Sequence, residues 1–109
     1  MKLKIYKNKK VEKTYEADTY DLMFGTLEEV AQAVKIDELK TGSDAEILKM
    51  VVNLIVGSMD TITDLMKDIF EGITDDELKR AKVKDMAQVI VEVVQYTIKE
   101  LGKGFGSKN

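Results

Sequence analysis

Apolar and polar positions alternate over the first stretch of the chain. Leu3 and Ile5 fall on one side, and Lys2, Lys4 and Tyr6 on the other. After Lys7-Asn8-Lys9-Lys10 the alternation resumes with Val11, Lys13, Tyr15 and Ala17. Two short period-two runs around an Asn-containing turn predict a β-hairpin over about 2–17. A lone hairpin is marginal in water, so this one must lie on helices or pair with another chain.

From there the period is helical. Thr26-Leu27-Glu28-Glu29 has the spacing of a capping box and opens a helix with Leu27, Val30, Ala31 and Val34 on one face. Tyr20 to Phe24 add a preceding turn that Gly25 stops, so the helical region covers about 19–36. Ser43-Asp44-Ala45-Glu46 is a second capping box, and it predicts one long helix over 44–71. Ile47, Val51, Leu54, Ser58, Ile62, Leu65 and Ile69 recur along it at intervals of three or four. As an unbroken rod it would measure roughly 42 Å. Between Met50 and Met59 the apolar character spreads beyond one stripe, as in a central helix touched on more than one face. Gly57 inside it suggests a close crossing, and Gly72 closes it.

Thr74-Asp75-Asp76-Glu77 is a third capping box, starting a short helix over 75–81. The last helix, 83–101, carries Met86, Ile90, Val93, Thr97 and Leu101 inward and stops at Gly102. Residues 102–109 have the composition of a flexible tail. The expected fold is mainly α: a single domain over 1–101, its N-terminal hairpin packed beside a two-helix core of 44–71 and 83–101.

Composition narrows the function more than the fold. The 109 residues are 44% apolar and 34% charged, the balance of a folded, charge-rich domain. No cysteine means no disulfide, thiolate nucleophile or Cys-based metal site. No histidine removes the commonest general base, so the chain is not expected to be an enzyme. The charged start MKLKIYKNKK does not read as an export signal. The apolar run Met50 to Val56 is interrupted by Asn53, well short of the roughly 20 residues of a membrane span. The expected location is the cytoplasm, with no membrane partner.

Charge is segregated along the chain. Residues 1–13 hold six Lys and one Glu, residues 14–78 four Lys against sixteen acids, and residues 79–109 seven bases against three acids. The basic ends suit loose pairing with the acidic middle, within one molecule or between copies, and weak self-association is expected. Nucleic-acid binding is not, because the bulk is acidic and Arg80 is the single arginine.

Four other patterns carry chemistry only at first sight. Asp60, Asp64, Asp68 and Glu71 share a helix face, but a metal cage needs ligands converging from several elements. A solvated face explains them, and no metal or cofactor is expected. Gly102, Gly104 and Gly106 follow a helix instead of leading into one, unlike a phosphate loop. A helix-turn-helix over Thr74 to Leu101 would present Val89, Ile90, Val91, Val93 and Val94 where base-reading polar groups are needed. Met50, Met59, Met66 and Met86 suit either core filling or an adaptable binding surface.

The stretches KNKKVEKTYEADTYDLMFGT and MVVNLIVGSMDTITDLMKDIFEGITDDELKRAKVKDMAQVIVEVVQYTIKEL resemble tail assembly chaperones of long-tailed phages and prophages of Gram-positive bacteria. The likeness spans about residues 5–101, with Leu22-Met23-Phe24-Gly25-Thr26 and Asp68-Ile69-Phe70-Glu71-Gly72 its most telling pieces. It is one of overall pattern, since the family has no catalytic signature. The resemblance implies a non-catalytic morphogenesis factor in the host cytoplasm, absent from the mature virion. Such a protein coats the tape measure protein, keeps it soluble and recruits tail tube protein. It also implies that a longer, frameshifted form can exist. The alternative is a structural tail or head-tail connector protein retained in the virion. An amphipathic tape measure helix would dock in an apolar groove, for which Met59, Met66, Val89, Val93 and Tyr96 are the expected lining.

Overall fold

The computed structural model describes residues 1–34 and 43–106, with side chains as far as residue 100. It is mainly helical, with an N-terminal antiparallel hairpin of β1 (Lys2–Lys7) and β2 (Lys10–Glu16). Asn8 and Lys9 form the turn, with φ of 53° and 67°. Two successive left-handed residues match the strand twist, and asparagine tolerates that region better than most residues. Leu3 and Ile5 are fully buried against the helices, so alternation gives the right face on β1. On β2 it does not, since Val11 and Lys13 are exposed and only Tyr15 turns partly inward.

A short 3-10 turn, Thr19–Asp21, follows, capped by the Asp18 carboxylate, which accepts from the Tyr20 amide at 3.1 Å. Helix α1 then spans Phe24–Val34. The expected capping box at Thr26 is not formed. The Thr26 and Leu27 amides donate to the Met23 carbonyl, so Thr26 lies inside the first turn and is buried. Gly25 does not stop a helix but belongs to one. Residues 35 and 36, expected to end this helix, lie outside the described residues.

The 44–71 rod is two helices, α2 (Asp44–Gly57) and α3 (Met59–Ile69). The Ser43–Glu46 capping box is complete, but the chain leaves helical geometry at Ser58, with φ −143° and ψ 57°. Ser58 donates to the Leu54 carbonyl at 2.8 Å and accepts from the Ile62 amide at 3.1 Å, so it closes one helix and opens the next. Gly/Ser pairs are recurrent places for such breaks. Among the described residues no crossing accounts for Gly57, where an added Cβ would meet nothing within 4 Å. Gly72, by contrast, has φ +87° in the turn that ends with Ile73 donating to the Phe70 carbonyl.

Helix α4 (Asp75–Lys79) carries the complete Thr74–Glu77 capping box, and α5 (Val83–Gly106) is the longest element. Helix α5 runs past Gly102, because glycine permits a helix end without enforcing one. The expected helix stop at Gly102 is therefore not found, and residues 107–109 lie outside the described residues. Helix α5 is also the hub, packed by α1, α2 and β1. Val89, Ile90, Val93 and Val94 are buried together along one side of it. The apolar run Val89 to Val94 is thus mostly core.

Two anchors seat the hairpin on the helices. The Tyr15 hydroxyl donates to Glu77 at 2.6 Å, and its ring lies 6.3 Å from that of Phe70. Ile5 bridges to Ala81, and the Tyr6 amide donates to the Arg80 carbonyl at 3.0 Å. The Arg80 guanidinium in turn donates to the Tyr6 carbonyl at 3.0 Å and to Glu12 at 2.6 Å. The capping residue Glu77 thus serves twice, closing the N-terminus of α4 and holding β2.

Candidate partner-binding surface

The five residues expected to line a groove do not line one together. Met66, Val89 and Val93 are buried in the core, where they are covered by this chain's own helices and strand. Tyr96 is half-buried on α5. Burial, and then the nearby Glu100, Tyr20 and Asp18, hold its phenol above the ordinary value. Met59 alone is open, at 55% exposure.

The apolar surface lies elsewhere. Helix α2 buries Ile47, Val51 and Ile55 and turns Leu48, Val52 and Val56 to solvent, with Val56 at 78% exposure. On a helix, residues four apart stack along one face, so these three form a single stripe of about 12 Å. Met59, the first residue of α3, is exposed just beyond the Ser58 break. Met59 and Val83 then line one cleft of about 430 Å³, together with Thr63, Leu78 and Met86. Asp60 and Asp75 line it as well. Exposed apolar residues scattered singly mean little, but a run of them along one face marks an interaction surface.

The sequence does carry the signal for this surface. The spread of apolar positions from Met50 to Met59 predicts a helix buried on several sides. Helix α2 is instead buried on one face only, and the surplus faces water. A second open group lies before and within the first turn of α1, where Tyr20, Met23 and Phe24 are all exposed, Tyr20 at 84%.

The acidic face of α3 holds no convergent arrangement. Asp60, Asp64, Asp68 and Glu71 are all exposed. Among the described residues no group of three or more acidic side chains could hold a metal ion. Nor is any helix there long and apolar enough to cross a membrane. Neither a family model, a curated protein nor a solved structure matches the chain.

Proposed function

We propose that this protein is a tail assembly chaperone of a long-tailed phage or prophage, a non-catalytic binding protein that keeps the tape measure protein soluble in the host cytoplasm. The identity of the partner comes from the sequence resemblance. The observation that carries a binding role is the solvent-facing stripe Leu48, Val52 and Val56 on α2, with exposed Met59 at the start of α3. The four-residue spacing of Leu48, Val52 and Val56 is the spacing one helix face presents to a groove or to another helix. Of the segments most like the family, Leu22 to Thr26 leaves Met23 and Phe24 in water, which adds apolar surface for a second contact.

In this reading the docking surface is the α2 stripe and the Met59–Val83 cleft, in place of a groove between the 44–71 region and α5. Exposed Met59 can re-pack as successive helix surfaces pass over it. Weak self-association through the same stripe would cover it between partners, and tail tube protein would displace the chaperone as the tube grows.

The test is coexpression with the tape measure protein encoded downstream. The proposal expects soluble complex with the wild-type chain and insoluble tape measure protein with Val52→Lys/Val56→Lys. Mass spectrometry of purified virions separates the competing role. A chaperone is absent from the particle, whereas a tail or head-tail connector is present in stoichiometric copies.

A further inference from the structure

The fold gathers cations that the sequence holds far apart. Lys7 and Lys9 come from the hairpin turn, and Lys79, Arg80 and Lys82 from the junction of α4 with α5. With the Tyr6 side chain they line one cleft of about 660 Å³. The chain as a whole carries a net charge of −3, so this concentration of positive charge runs against its average.

The cations differ in what already holds them. Arg80 is engaged by Glu12 at 2.6 Å and Asp76 at 3.3 Å, and Lys7 lies 3.9 Å from the same Glu12. Among the described residues no carboxylate comes within 4.0 Å of Lys9, Lys79 or Lys82. Lys82 instead stands over the Tyr6 ring, 4.6 Å from its centroid. Three like charges brought to one cleft repel each other, and an anionic ligand would turn that repulsion into attraction. The backbone around them is set by the left-handed turn at Asn8-Lys9 and by the Arg80 clamp on Tyr6.

We propose that this cleft binds a carboxylate-rich peptide segment of a partner protein. Complementary charge is the argument, and the details favour carboxylates over nucleic acid. Base stacking needs an open aromatic face, and Lys82 already stands over one face of Tyr6. Bidentate phosphate recognition needs a free guanidinium, and the single arginine is already held by the chain's own acids. Three lysines clustered at one hairpin end offer point charges for separately placed carboxylates, not a track along a phosphate backbone. This inference does not rest on the chaperone reading, which concerns the α2 stripe.

Fluorescence anisotropy with a labelled oligo-glutamate peptide tests it on the full chain at low salt. Saturable binding is expected, weakening as salt shortens the screening length. The triple variant Lys9→Gln/Lys79→Gln/Lys82→Gln should weaken it about tenfold, the scale of losing a few surface ion pairs together. A control triple, Lys2→Gln/Lys4→Gln/Lys49→Gln, removes equal charge elsewhere and should leave binding within about twofold. If the first triple variant does not fold, Lys9→Gln alone carries the test, because Lys9 is exposed at the turn. No saturable binding, equal losses in the two triples, or tighter binding of an oligothymidylate of matched charge would each overturn the proposal.

Discussion

Val56→Lys and Val93→Asp should behave oppositely, and the contrast decides which apolar residues belong to the interface. Val93 is 1% exposed and packs in the core formed around α5. Replacing it by aspartate forfeits about 1.5–3 kcal/mol of side-chain burial. Burying a carboxyl group without a partner adds several kcal/mol, whether the group stays charged or takes up a proton. The sum, about 5 kcal/mol or more, approaches the whole stability of a domain this size, roughly 5–15 kcal/mol. Val56 is 78% exposed, so its substitution removes only about 0.5 kcal/mol of burial. Lysine returns a few tenths through better helix propensity and a favourable place in the last turn of α2. Its melting temperature should therefore stay within about 4 °C of wild type. Thermal melts followed by circular dichroism, beside tape measure coexpression, read both effects. If Val56→Lys lowers the melting temperature as far as Val93→Asp, the α2 stripe is not free surface. If it melts normally and still solubilises the tape measure protein in full, the stripe is free but is not the docking site.

The remaining predictions concern the anchors and the exposed stripe. Glu77 is held below its ordinary value of 4.5, first by the Tyr15 hydroxyl and then by the Thr74 amide and Lys13. Its contribution should be complete above that value and decline as pH falls through the lower folded-state value, a decline that acid titration of Tyr15→Phe should show to be shallower. Gly72→Ala should destabilise by about 1–2 kcal/mol in urea titration, from backbone strain at φ +87° alone, because the added Cβ meets nothing within 4 Å. Sedimentation equilibrium should show weak self-association that Val52→Lys/Val56→Lys abolishes; association unchanged in that variant would assign it to another surface.

How much of this was legible in the sequence depends on whether the signal is local. The Ser43 and Thr74 capping boxes are local, and both form as the spacing predicts, whereas Thr26 fails because its side chain is drawn into the core and the helix starts earlier. Which apolar face of α2 meets a neighbour is not local. Ile47, Val51 and Ile55 differ from Leu48, Val52 and Val56 only in which side α5 occupies. The break at Ser58 is hidden for another reason: the buried positions of α2 and α3 stay in phase across it, and periodicity cannot register a bend that preserves phase. That raises the question of what makes the break. Ser58 makes no side-chain capping hydrogen bond, so the serine itself does not enforce it. If packing of the two halves against the rest of the core enforces it, Ser58→Ala should change stability by less than about 0.5 kcal/mol. Gly57→Ala should stabilise by about 0.5–1 kcal/mol, since Gly57 lies within α2 and its Cβ would have open space. Urea denaturation of both variants reads these values. A loss of about 1 kcal/mol for Ser58→Ala, the usual size of a lost cap, would show instead that the serine side chain makes the break.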